Sequence, residues 1–233
     1  MCVSNQRSWL VFSVVEEYLK RRQEFIKNLI EEKQLMTYFI NSNVTIIVFS
    51  AIYGAIMGLY PSGLQILRDA LKIPILLLIT LYITVPSFYV LTTLLGGKRS
   101  FSQLVVLLLS SFTVMSTILL ALIPVNLFFL LTTVNGSYST YAFIVLLNVL
   151  IFALAGFFAL VYLLRGFIAL YPSGEWILSF LIGSLILIFV GTQLAWFLRP
   201  YINYYEGFIR QPEGNFYIGI VETVLRLLRG GRG

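Results

Sequence analysis

Long apolar stretches alternate with short polar ones along most of the chain. Five of these stretches are about as long as the roughly 20 helical residues that cross a hydrocarbon core. They predict membrane-spanning helices at about 43–60, 73–95, 102–123, 141–164 and 176–198. We therefore predict an all-α fold, a polytopic transmembrane helical bundle of about five spans that occupies residues 43–198.

Residues 1–42 are predicted to form an N-terminal extension with an amphipathic helix of about two dozen residues, because apolar residues recur there at helical spacing. Tyr18, Leu19, Phe25 and Leu29 belong to this apolar stripe. Three placements stay open for the helix. It can lie on the membrane, pack under the bundle or receive a partner.

Residues 199–233 are predicted to form a C-terminal tail with a second amphipathic helix, capped by Asn215. The helix is too short and too charged to cross a membrane, so interfacial docking is favoured. Its arginines Arg226, Arg229 and Arg232 are predicted to lie near lipid phosphates.

A nine-residue phrase occurs twice, as LYPSGLQIL at 59–67 and LYPSGEWIL at 170–178. Each copy closes one predicted span and opens the next, with a glycine that permits positive φ. Three spans separate the copies, so they are predicted to lie on opposite membrane faces. Two interpretations stay open: a helix-to-helix corner that arose twice, or the mark of an inverted repeat of the kind found in transporters.

Composition agrees with a membrane as the solvent. The chain is 59% hydrophobic and only 11% charged, against roughly 25% charged residues in an ordinary soluble domain. Its net charge of +6 comes largely from the two ends. We interpret this charge as attraction to anionic lipid, because the chain has no aromatic-and-basic nucleic-acid module.

The available chemistry is sparse. The predicted spans contain no acid, base or imidazole, the chain has no His, and Cys2 is its one cysteine. These residues offer no intramembrane catalytic set, metal site or protein-ligated cofactor. The sequence therefore predicts a protein that is not an enzyme and carries no cofactor.

The polar and proline residues in the spans have two possible roles. Pro74 suits the first turn of the second span, whereas Pro86 falls inside that span and predicts a kink. Residues 124–134 are too short to cross a membrane, so they either continue the third helix past a kink at Pro124 or lie at the surface, and Asn126 lies just beyond Pro124. The polar groups either join helices by hydrogen bonds or line a pocket. The candidate pocket residues are Pro86, Asn148, Thr192 and Gln193.

Small residues recur at four-residue spacing on several spans, which lets helix backbones approach closely. Such contacts can lie within the bundle or between subunits. The candidate packing residues are Ser50, Gly54, Gly58, Ala155, Ala159, Gly183 and Gly191.

The stretch GGKRSFSQLVVLLLSSFTVMSTILLAL, residues 96–122, resembles the Yip (Ypt-interacting) family of five-span membrane proteins. In that family a basic, glycine-containing turn after the second span leads into a Ser/Phe-Gln-Leu start of the third. The resemblance implies a cytoplasmic N-terminus and a scaffolding, membrane-organising or partner-binding role without enzyme activity. The charge count agrees weakly, with nine of the 16 Lys and Arg residues on the side of the N-terminus.

Two functional hypotheses follow. The first is a non-enzymatic integral membrane protein that organises the membrane or partner proteins, as a scaffold or an accessory subunit of a membrane complex. The alternative is a permease or channel-like carrier for a small neutral or lipid-like solute. The expected partners are the bilayer, anionic lipid within it, and other membrane proteins or further copies of the chain.

Overall fold

The computed structural model describes residues 11–60, 63–133, 138–172, 174, 176–199, 201 and 214–228. These residues form nine helices and contain no strand. The helices are α1 Val11–Lys20, α2 Arg22–Ile30, α3 Leu35–Met57, α4 Leu64–Leu94, α5 Phe101–Ala121, α6 Ile123–Thr132, α7 Tyr138–Leu170, α8 Trp176–Phe197 and α9 Phe216–Leu228.

Five helical segments are long and apolar enough to cross a membrane, which confirms the predicted all-α bundle of about five spans. These segments are α3, α4, the consecutive pair α5–α6, α7 and α8. Two of them begin earlier than predicted, α3 at Leu35 and α4 at Leu64. Their first turns contain polar residues and therefore have low hydropathy, but the backbone there is already helical. Pro74 therefore lies well inside α4 rather than in its first turn.

The helix α5 forms the centre of the bundle. In the span formed by α5 and α6, 61% of the most apolar part is buried in the protein, whereas the corresponding share for α8 is 17%. α3 and α4 pack on each other and on α5, α7 packs on α5, and α8 packs on α4. α7 and α8 make few contacts with each other, so α8 lies at the periphery.

We call the end of the bundle that carries α1 and α2 the proximal side and the opposite end the distal side. α1 and α2 pack across the proximal ends of α3, α5 and α7. Of the three placements predicted for the N-terminal extension, the structure shows the one in which it packs under the bundle. It forms two short helices instead of the single predicted one, with a break at Arg21.

Aromatic rings fix this pair of helices to the bundle. The Phe25 ring lies 4.6 Å from the Tyr18 ring and 5.2 Å from the Tyr38 ring of α3, measured between centroids. The amide of Gln103 on α5 donates to the main-chain oxygen of Leu29 at 2.9 Å. The same amide also donates to the main-chain oxygen of Ile30 at 3.2 Å, so Gln103 binds two carbonyls in the last turn of α2.

The two LYPSG corners share a glycine with positive φ but differ in their packing. Gly63 and Gly174 both adopt positive φ, of 64° and 87°. At the first corner Gly54 and Gly58 let α3 approach α4 so closely that a Cβ on Gly54 would overlap α4 backbone. Arg165 stands at the position equivalent to Gly54 in the second copy, where α7 and α8 separate.

Candidate functional site

Three polar side chains meet inside the bundle, and we call them the asparagine cluster: Tyr53, Asn126 and Asn148. The Tyr53 hydroxyl donates to Asn148 Oδ1 at 2.7 Å, and Asn126 Nδ2 donates to the same oxygen at 3.1 Å. All three residues are buried, at 0%, 0% and 3% exposure. The cluster joins α3, α6 and α7.

An interruption of the helix at Leu122, between α5 and α6, positions Asn126. Pro124 lies in the first turn of α6, where its missing N–H costs no intrahelical hydrogen bond. The remaining amide donors also have acceptors, since Asn148 Nδ2 donates to the Ile144 carbonyl at 2.9 Å. The cluster is thus a closed hydrogen-bond network that holds helices together, with its polar atoms bonded to protein groups.

The structure does not bring the four candidate pocket residues together. Asn148 belongs to the asparagine cluster, whereas Pro86 is exposed on α4 and Gln193 is partly exposed on α8. Thr192 donates to the Ile188 carbonyl at 2.9 Å and lies 3.2 Å from the Tyr217 hydroxyl of α9. The four side chains therefore do not line one pocket.

A second polar cluster lies at the distal side, and we call it the distal stripe: Gln65, Asp69 and Lys72 on one face of α4, with Tyr201. Gln65 Nε2 donates to Asp69 Oδ1 at 2.8 Å, and Lys72 Nζ lies 5.4 Å from the centre of the Tyr201 ring. Asp69 and Lys72 are fully buried. Asp69 Oδ2 and the Tyr201 hydroxyl have no hydrogen-bond partner among the residues that the structure describes.

The sequence prediction missed the distal stripe because the second span was placed at 73–95. The range 73–95 contains no charged side chain. The helix α4 begins at Leu64, however, and includes Asp69 and Lys72. The usable signal was the spacing of Gln65, Asp69 and Lys72, which at i, i+4 and i+7 share one helix face.

The small-residue ridge of α3 makes room for this part of α4. A Cβ on Gly54 would overlap the main-chain oxygen of Asp69, and one on Gly58 would lie 2.7 Å from the Ile66 Cα. Ser50, one turn earlier, is buried and donates to its own helix at the Ile46 carbonyl, 2.5 Å away.

The other small residues also lie against helices of the same chain or within its interior. A Cβ on Gly183 would come 2.5 Å from Phe88 Cδ1, and one on Gly191 would come 3.3 Å from Thr80 Cγ2, both on α4. Ala155 and Ala159 of α7 are buried. These residues therefore contribute to packing within the chain.

A third set of polar contacts holds the N-terminal helices on the proximal side. Glu17 of α1 accepts a short hydrogen bond from the Tyr38 hydroxyl, and Asn28 of α2 donates to that same hydroxyl at 2.9 Å. The Tyr18 hydroxyl lies 2.7 Å from Ser42 Oγ. Burial raises the pKa of the Glu17 carboxyl above its ordinary value of 4.5, although the Tyr38 hydrogen bond opposes this shift.

The C-terminal helix α9 packs on the distal end of α8 and also contacts α7. Asn215 Oδ1 accepts from the Ile218 N–H at 3.0 Å, which is the predicted N-cap. Gly219 lies against the Trp196 ring, where a Cβ would overlap the indole. Arg226 is exposed, and Arg229 and Arg232 lie outside the described residues.

These features define the protein as an all-helical, multi-pass integral membrane protein whose buried polar groups connect its helices. Comparisons with protein-family models, with curated proteins and with solved structures find no match for the chain.

Proposed function

We propose that this chain is a non-enzymatic integral membrane protein that organises the membrane or partner proteins, as a scaffold or an accessory subunit of a membrane complex. The observation that carries the proposal is the closed asparagine cluster. A carrier needs polar groups that a solute can bind in the membrane interior. Tyr53, Asn126 and Asn148 instead bond to one another across three helices.

The periphery of the bundle supports the same proposal. Large apolar side chains cover the outer face of α8, including Leu181, Leu185 and Phe189, each more than half exposed in the isolated chain. Such a surface suits lipid or the helices of another membrane protein. The resemblance of residues 96–122 to the Yip family agrees with a membrane-organising role and with a cytoplasmic proximal side.

The test is purification of the intact chain in gentle detergent at native expression level, followed by mass spectrometry of the proteins and lipids that elute with it. The proposal expects other membrane proteins in stoichiometric amounts. A matched pair of variants separates surface from packing: Leu185→Ala on the outer face of α8 and Ala155→Val in the interior. Partner loss with the first variant at an unchanged unfolding temperature supports an α8 interface.

The carrier hypothesis predicts a different result. The chain would elute alone, or only with further copies of itself, together with one enriched small molecule or lipid. Asn148→Leu would then abolish the flux of that solute into liposomes. Such a result would overturn the scaffold proposal.

A further inference from the structure

Two hydrogen-bonding side chains without partners meet near the proximal end of α7. Arg22, the first residue of α2, places its guanidinium carbon 5.0 Å from the centre of the Tyr162 ring. The Nε and Nη2 atoms of Arg22 are shielded from solvent and have no well-aligned hydrogen-bond partner among the described residues. The same is true of the hydroxyl of Tyr162, which is only 9% exposed. Among the described residues these guanidinium N–H groups therefore lie beside a neutral hydroxyl and have no anionic acceptor.

The positive charge of Arg22 is not neutralised by a carboxylate of the described residues. Lys20 pairs with Glu16 and Lys33 with Glu31, and no ion pair is found for Arg22 among the described residues. The two shielded nitrogens of this guanidinium are unfavourable, because their N–H groups have lost water without gaining a well-placed acceptor. A ligand that supplies anionic oxygens would remove this cost.

The arrangement fits a phosphate group in particular. A guanidinium is planar and can donate two parallel hydrogen bonds to phosphate oxygens. Arg22 also begins α2, whose N-cap residue Arg21 provides no side-chain cap, so the positive end of the helix dipole lies at the backbone of Arg22. Arg165, three residues after Tyr162 on α7, is exposed and adds a second positive charge near that helix face.

The position of the pair indicates where the phosphate comes from. Tyr162 belongs to the last turns of a spanning helix, and α2 lies across its proximal end. Lipid phosphates occupy this level of a membrane. We propose that Arg22 and Tyr162 bind the phosphate of an anionic membrane lipid between α2 and α7. This site is separate from α9, which lies at the distal side, and it does not depend on the scaffold role.

The experiment uses the full-length protein in gentle detergent, incubated with phosphatidylglycerol or phosphatidylcholine and analysed by native mass spectrometry. Arg22→Gln removes the charge, and Arg21→Gln is the matched control at the adjacent, exposed arginine. The proposal expects Arg22→Gln to retain phosphatidylglycerol about tenfold more weakly, while Arg21→Gln retains it like the unaltered chain. Tyr162→Phe keeps the ring and should weaken retention by a smaller factor.

Equal retention by the Arg22→Gln variant and the unaltered chain would overturn the proposal, as would an equal loss in Arg21→Gln. If Arg22→Gln fails to fold, Arg22→Lys and Tyr162→Phe take its place, since both keep much of the local packing. A parallel titration with inorganic phosphate distinguishes the source. Arg22-dependent thermal stabilisation by inorganic phosphate, without lipid retention, would reject the lipid and assign the site to free phosphate.

Discussion

At the scale of single residues, glycine decides where two helices of this bundle can touch. Gly54 and Gly156 both lie in the interior of spanning helices, but their surroundings differ. A Cβ on Gly54 would overlap the backbone of Asp69, whereas the atom nearest to a Cβ on Gly156 is Met115 Cε, 4.0 Å away. A four-residue spacing of small residues cannot reveal which of its members has a neighbour this close.

We expect Gly54→Ala to destabilise the folded bundle by about 1–3 kcal/mol, because the added methyl group must push α3 away from α4. Gly156→Ala should be neutral or slightly stabilising, since alanine is the better helix former and open space receives its methyl group. Thermal unfolding of both variants in the same detergent tests the pair. Equal unfolding temperatures would show that α3 and α4 are not in close contact at Gly54.

At the scale of helices, the sequence predicted the existence of elements better than their partners. Long apolar runs determine which segments leave water, so the five spans could be predicted from hydropathy alone. The same property says little about which face of a helix meets which neighbour. Asn126 and Asn148 were recognised as polar, but nothing in a single sequence joins them to Tyr53, which is 95 residues from Asn148.

The polar first turns of α4 illustrate the other limit. Hydropathy falls where Gln65, Asp69 and Lys72 interrupt the apolar pattern, so the predicted span began only at Ile73. In the folded chain these side chains are buried, and α3 lies directly against the backbone of this part of α4 at Gly54 and Gly58. Whether a charged side chain is buried depends on the neighbouring helix, and the local sequence does not indicate which helix that is.

The pair of N-terminal helices gives a pH prediction. Burial raises the pKa of Glu17 above its ordinary value of 4.5, so the docked state favours the protonated carboxyl more than the undocked state does. The resulting stabilisation is complete below pH 4.5 and is lost as the pH rises through the raised value. Hydrogen exchange of the α1 and α2 amides, corrected for intrinsic rates, should therefore show weaker protection at neutral pH.

Glu17→Gln provides the control for this effect, because an amide keeps an acceptor oxygen for the Tyr38 hydroxyl and does not titrate. Protection of α1 and α2 should then lose its dependence on pH across this range. A variant at Glu16, which is exposed and pairs with Lys20, should keep it. If the Glu17→Gln variant and the unaltered chain show the same pH profile, another group controls the docking.

The C-terminal helix gives a prediction about contact rather than charge. Thr192 and Tyr217 lie 3.2 Å apart through their hydroxyl groups. With Cys2 replaced by Ser, cysteines at these two positions should be joined by a cross-linker about as long as a tyrosine ring. Gly219→Leu should lower the yield, because its side chain would overlap Trp196, whereas Val221→Leu on the exposed face should not. An unchanged yield in Gly219→Leu would contradict the packing of α9 on α8.

At the scale of the whole molecule, an odd number of spans determines which surfaces share a side of the membrane. α3 begins at the proximal side, so the loops at Lys33 and Lys98 lie on one side and the first LYPSG corner, next to Leu64, lies on the other. α1 and α2 cover only the proximal side. The two faces of the protein therefore differ in the helices that cover them.

This asymmetry predicts the labelling of three single-cysteine variants in a Cys2→Ser background: Lys33→Cys, Lys98→Cys and Leu64→Cys. If the proximal side is cytoplasmic, as the charge count and the Yip resemblance imply, a membrane-impermeant maleimide should label only Leu64→Cys in intact cells. The other two variants should react after the membrane is opened. Labelling of Lys33→Cys and Lys98→Cys alone would reverse the orientation, and would place the proposed phosphate site at Arg22 in the outer leaflet. Labelling of Lys33→Cys and Leu64→Cys from the same side would contradict the bundle itself, because α3 would then not cross the membrane.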